Sequence, residues 1–212
     1  MIHELRMYTV KPGKLQTVIE ASGTVGQRIR ATGDFGKLEG HFGSEVGRLN
    51  QYIHLWSYES VDDMRRKRAE LGGLEAWRTE FGPLMRPHII EQTIRLLDPV
   101  IAMKTPATEG NLYELRTYTV KVGRAVPWCA LMAENLHVRE KYSMNCGLWT
   151  TISPDPNQVV HLWAYESFEQ RQEVRAQSQA DPEWQAFLAE AGPQIETMDS
   201  MLLLPSAYSP RK

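Results

Sequence analysis

Residues Glu4–Lys14 read ELRMYTVKPGK, and residues Glu114–Arg124 read ELRTYTVKVGR. A second matched pair follows: His54–Ser60 reads HLWSYES, and His161–Ser167 reads HLWAYES. Glu4 and Glu114 lie 110 positions apart, whereas His54 and His161 lie 107 apart. The later copy is therefore three residues shorter between its blocks, and a loop is the expected place for the loss. Two blocks in the same order at nearly the same spacing mark a duplicated unit. A unit this long is a small domain in its own right rather than a turn of a solenoid.

Working outward from these blocks, one copy reads as β-α-β-β-α-β. Strand one covers His3–Val10 and breaks at Pro12–Gly13. A helix follows, with Leu15, Val18, Ile19, Ser22, Val25 and Ile29 on one face and two weakening glycines, Gly23 and Gly26. Strands two and three are expected at Lys37–Ser44 and Tyr52–Glu59. Ser60 then caps a second helix, whose first turn carries Asp62 and Asp63. That helix is interrupted at Gly72–Gly73, resumes over Leu74–Phe81, and is followed by a strand at Glu91–Leu97. The second copy repeats the order, with strands at Tyr113–Val120, Met144–Ile152, Val159–Glu166 and Thr197–Leu204. This is the split βαβ order of ferredoxin-like domains. The expected divisions are a first repeat over 1–98, a linker over 99–110, a second repeat over 111–205 and a tail over 206–212.

Alternation along strands one and three divides their side chains into two faces. Leu5, Met7, Ile53 and Leu55 form an aliphatic set; Glu4, Arg6, Tyr8, His54, Trp56 and Tyr58 form an aromatic and charged one. The aliphatic set is assigned to the helix-covered side. The other set, with its copies Glu114, Arg116, Tyr118, His161, Trp163 and Tyr165, is assigned to the bare face. Two bare faces packed together would bury their rings and pair their charges. The fold class is thus α+β: two tandem ferredoxin-like repeats pairing into one dimeric-type α/β barrel with a partly polar interior.

The composition limits the partners. The formal charge is −2 over 212 residues, which offers no electrostatic case for nucleic acid or an anionic membrane surface. No apolar run reaches the 18–20 or so residues of a membrane span. The N-terminus starts a strand at once and has neither a signal-peptide nor a transit pattern, so a cytoplasmic location is expected. Cys129 and Cys146 have no metal-type spacing; Cys129 aligns with Ile19 and reads as a small buried hydrophobe, Cys146 aligns with Glu39, and no disulfide is expected.

The repeated blocks resemble the NIPSNAP family. The resemblance rests on ELRxYTVKxG at Glu4–Gly13 and Glu114–Gly123 and on HLWxYES at His54–Ser60 and His161–Ser167, with Trp77 and Trp184 in support. It covers nearly all of both halves. It implies the dimeric α/β-barrel architecture shared with antibiotic-biosynthesis monooxygenase-like and stress-responsive barrel proteins. Eukaryotic members are associated with mitochondria and have been linked to vesicle or mitophagy roles; this chain is expected to lack their N-terminal extension, so that localisation is not carried across. The family supplies no catalytic residues to carry across.

The twelve residues of the aromatic and charged faces are the candidate ligand site. His54 or His161, with an unperturbed pKa of about 6.5, is a candidate proton shuttle. Arg6 or Arg116 is a candidate clamp for a carboxylate or enolate oxygen. The tryptophans and tyrosines suit an apolar or aromatic body. Set against this is a plain packing network, in which Glu–Arg pairs neutralise each other and the histidines bond to neighbours.

Other groups read as incidental. His41 aligns with Leu148 and is expected at the surface or a strand edge. His137 on a helix is a remote haem-ligand candidate, and His88 is expected in a solvated loop. The run DDMRRKRAE at Asp62–Glu70 reads as a solvated helix face. Phosphate loops, HExxH, GxSxG and paired CxxC are absent, so no metal and no cofactor are expected.

Two functions follow. One is a barrel that binds a small aromatic or apolar metabolite, in the manner of a cofactor-free monooxygenase or isomerase. The other is a non-enzymatic adaptor acting through protein contacts. Self-association through the barrel exterior fits either.

Overall fold

The structure is a computed structural model describing residues 1–212. Its strands are β1 (Ile2–Val10), β2 (Lys37–Val46), β3 (Gln51–Tyr58) and β4 (Ile89–Pro99) in the first repeat, and β5 (Leu112–Val120), β6 (Met144–Ser153), β7 (Gln158–Tyr165) and β8 (Ile195–Pro205) in the second. They close as a barrel in the order β1-β3-β2-β8-β5-β7-β6-β4. Each repeat thus keeps the ferredoxin-like order, and the expected α+β class stands. The described chain divides into two compact units, Met1–Leu96 with Pro205–Arg211, and Leu97–Leu204 with Lys212.

Each repeat centres on the antiparallel pair carrying the repeated blocks. Arg6 sits opposite His54 and Glu4 opposite Trp56; Arg116 sits opposite His161 and Glu114 opposite Trp163. The helices that cover these pairs differ between the repeats. In the first, α1 (Leu15–Ala21) runs through a π-helical turn at Ser22–Gly26 into α2 (Gln27–Arg30). In the second, α5 (Ala125–Arg139) is one regular helix. The π turn holds one extra residue. Before it Leu15 matches Ala125, 110 positions on; after it Arg30 matches Arg139, 109 positions on. The remaining two residues are lost between Arg30 and Lys37, against the tighter connection from Arg139 to Met144. The three-residue difference expected in a loop is therefore partly inside a helix.

The second helical segment behaves alike. Ser60 Oγ accepts the Asp63 amide at 3.1 Å, capping α3 (Val61–Gly73), and Ser167 does the same for α6 (Phe168–Ala180). Beyond α3 the first repeat has another π turn, Trp77–Phe81, then α4 (Gly82–Met85); the second has the regular α7 (Pro182–Ala191). The two π turns face each other. A Cβ on Gly26 would lie 3.0 Å from the Phe81 ring, so any larger residue there would press on that ring.

Three expectations fail. The aromatic and charged strand face lies beneath the helices: Arg68 of α3 bonds to Glu4, Arg30 of α2 lies over Trp56, and Ser22 Oγ meets the Tyr52 hydroxyl at 2.5 Å. By alternation Leu5, Ile53 and Leu55 occupy the opposite face. The assignment assumed apolar helix faces, whereas these helices send polar side chains down onto the sheet. His41 is buried, not superficial. The final residues are not a free tail: Tyr208 OH meets His41 Nε2 at 2.5 Å, Arg211 pairs with Glu39 at 3.1 Å, and Ser209 and Arg211 are buried. This segment packs on the first repeat, and its Tyr208 ring lies where any side chain at Gly23 would collide.

Candidate functional site

The sheet-to-helix layer of the first repeat encloses a cavity of about 430 Å³. Its floor is Arg6, Tyr8, Tyr52, His54 and Trp56; its roof is Ser22, Arg30, Arg68, Leu71, Trp77 and Phe81. Exposed Arg86 and Gln92 stand at its mouth. The corresponding cavity of the second repeat measures about 140 Å³. One cause is plain. Val18 on α1 corresponds to Trp128 on α5, 110 positions on, and the Trp128 ring approaches His161 to 6.1 Å between centroids.

Both repeats fix their histidine in the same way. The Trp56 indole donates to His54 Nδ1 at 2.5 Å, and the Trp163 indole donates to His161 Nδ1 at 2.6 Å. An imidazole that accepts at Nδ1 carries its proton at Nε2. In each ring Nε2 is buried without a partner, and each ring lines its cavity. Burial first, and then the nearby arginines, push both pKa values well below 6.5. These histidines are therefore neutral N–H donors. In this arrangement the one basic nitrogen of each ring accepts the indole N–H, and burial disfavours a second proton.

The arginines outnumber their acids. Arg6 meets Glu4 at 2.6 Å and the Tyr8 hydroxyl at 2.5 Å. Arg68 Nε also donates to Glu4, at 2.8 Å. Arg30 has no carboxylate partner; it lies 3.9 Å over the Trp56 ring and donates to the Phe35 carbonyl at 3.3 Å. Burial and the neighbouring Arg68 lower its pKa to about 10, which leaves it charged at neutral pH. Two guanidinium groups thus share one carboxylate, and the third has none. The Tyr58 hydroxyl completes the Glu4 shell at 3.4 Å.

Of the twelve expected residues, Arg6, Tyr8, His54 and Trp56 line the first cavity, and Arg116, Tyr118, His161 and Trp163 line the second. Glu4, Tyr58, Glu114 and Tyr165 stand behind, holding the arginines in place. Sequence reasoning missed the helix contribution. Arg68, inside the run read as solvated, turns inward to Glu4, while Arg66 of the same run pairs on the surface with Asp63 and Glu70. A usable signal existed: Arg68 recurs as Arg175 at the HLWxYES spacing.

The incidental groups resolve simply. His41 stacks on His54, with centroids 6.1 Å apart, and burial lowers its pKa to about 3. His137 is exposed and its Nδ1 lies 2.8 Å from the Glu134 carbonyl of its own helix. His88 sits half-buried in a 3-10 turn, Arg86–His88. The thiols of Cys129 and Cys146 are buried.

The NIPSNAP family model matches residues 3–102 and 113–210, once per repeat. The chain belongs to the NIPSNAP family. Protein NipSnap homolog 3B of Mus musculus is 30% identical over 215 residues, covering 99% of this chain and 85% of its own. Protein NipSnap homolog 3B of Homo sapiens is 28% identical with the same coverage. The crystal structure of an anthrone oxidase-like protein superposes with a TM-score of 0.70, covering 100% of this chain and 94% of its own at 10% identity. That likeness shows the fold alone. No helix of this NIPSNAP protein is long and apolar enough to cross a membrane.

Proposed function

We propose that this NIPSNAP protein binds a small organic anion with a flat apolar body in the cavity of its first repeat. The observation that carries this is the unequal treatment of two copies of one site. The same His–Trp and Glu–Arg groups recur in both, yet the first repeat alone opens to about 430 Å³, a size typical of ligand pockets. Tyr52, Trp56, Trp77 and Phe81 supply aromatic walls, and Arg30 is a guanidinium without an acid. His54 Nε2–H adds a donor for an oxygen of the ligand. Such donors would also polarise a carbonyl or hold an enolate oxygen, so chemistry on the bound molecule is open to the site, with His54 as a donor rather than a base.

The test is Val18→Trp, which places in the first repeat the ring that the second already accommodates. Indole-3-acetate serves as the probe in calorimetric titration. Binding by the parent and its loss in the variant, with the melting temperature kept, supports the reading. Equal affinity in both proteins removes it. The reading includes a cytoplasmic location, supported by two buried cysteine thiols that suit a reducing compartment. It also includes self-association through the outer surface, where Ile90 and Ile94 are exposed; sedimentation velocity checks that part.

A further inference from the structure

The second repeat carries three buried N–H groups with nothing to donate to. They are Nε of Arg116, Nε1 of Trp128 and Nε2 of His161. All three residues line the same small cavity. Trp128 and His161 are each more than nine-tenths buried, and their rings lie 6.1 Å apart. The Arg116 guanidinium sits 5.2 Å over the Tyr118 ring, which itself packs against both others.

None of the three can turn acceptor. An indole N–H and a guanidinium N–H only donate, and His161 already accepts at Nδ1. Burying even one unsatisfied donor costs roughly 1–3 kcal/mol, and three at one cavity ask for a common acceptor. The nearest carboxylate is already shared. Glu114 receives Arg171 at 2.7 Å, and Arg175 lies 3.7 Å from it, while Arg116 Nε is 3.9 Å away, outside bonding range. Arg139 adds a further positive charge over Trp163, 4.9 Å from its centroid.

The other walls of the cavity are mostly apolar, chiefly Met132, Phe187, Leu188 and Ile195, with Arg175, Ser178 and Gln179 on one side. Its volume of about 140 Å³ is close to that of an engineered apolar cavity, about 150 Å³, that takes up benzene. We infer that the second repeat holds a separate site for a single-ring or short-chain monocarboxylate, its carboxylate received by Arg116, Trp128 and His161 and its apolar body lodged beneath the helices. This site does not depend on the proposal for the first repeat, since the two cavities share no residue.

The probe is benzoate, with benzamide as its neutral counterpart, read by indole N–H resonances of the full chain. Six tryptophans give six indole signals, and Trp128→Phe identifies the one that matters. Benzoate is expected to move the Trp128 indole proton downfield in a saturable way, with benzamide at least tenfold weaker. Arg116→Met should weaken benzoate roughly ten- to a hundredfold, as expected for losing a hydrogen bond to a charged group, and should leave benzamide nearly unchanged. The inference is overturned if the Trp128 signal does not respond to millimolar benzoate. It is equally overturned if benzamide binds as well, or if Arg116→Met binds benzoate like the parent. A response of the Trp56 and Trp77 signals alone would place binding in the first repeat only and overturn this inference without touching the other.

Discussion

Val18 and Trp128 show how one residue decides whether a duplicated site stays open. Their strand residues are alike except that Tyr52 stands where the second repeat has Val159, and on the helix an aliphatic side chain stands where the other copy has an indole. The His–Trp pair is the complementary case, in which one residue fixes the chemistry of another. Trp56→Phe removes the donor to His54 Nδ1 and frees the imidazole to change tautomer. The expected loss is about 1–3 kcal/mol of stability, with the His54 ring nitrogens moving toward mixed values in 15N spectra. Unchanged nitrogen shifts would mean that the indole does not set the tautomer. Trp163→Phe should do the same to His161 alone. The sequence made these residues conspicuous, because both copies repeat them. It could not reveal their state: a free histidine titrates near 6.5, and only burial among arginines makes His54 a neutral donor.

At the level of elements, alternation told which residues of β1 and β3 share a face but not which face meets the helices. That choice depends on the helices, and Arg30 and Arg68 stand there in surroundings that read as solvent-facing. Helical periodicity flagged Gly23 and Gly26 as weak points, and the structure turns that weakness into a π turn, a feature frequent at functional sites. Its extra residue was visible only as part of a spacing mismatch. Gly26→Leu, which copies Leu136 of the regular α5, should press on Phe81 and cost about 1–3 kcal/mol by overpacking. Denaturant unfolding measures this. A neutral result would show that the facing π turns yield easily. Capping at Ser60, by contrast, was legible: it sits where an extended residue precedes a helix with acids in its first turn.

For the whole molecule, a net charge of −2 conceals two arginine-rich interiors. It also conceals several buried histidines, which govern the response to acid. The pKa of His3 is lowered to about 4 and that of His41 to about 3, both by burial first. The unfolded chain takes up protons near 6.5, whereas the folded chain refuses them until pH 4 or 3. Their contribution is therefore complete above pH 6.5 and lost as the pH falls toward those values. Between pH 6.5 and 5 the loss is on the order of 2 kcal/mol per histidine. A second decline follows below about 4.5. Burial raises the pKa of Glu114, but Arg171, Arg116 and Ser200 outweigh it and hold the carboxylate at about 2. Urea midpoints measured from pH 8 to 4 test this, and a flat profile down to pH 5 would contradict it. The closing residues have a different consequence. Because Tyr208 and Arg211 complete the wall beside His41 and Glu39, the first half of the gene does not encode a finished first half of the protein. An isolated N-terminal repeat lacks part of its own core, and a truncation before Tyr208 would loosen the opening repeat rather than the one it follows.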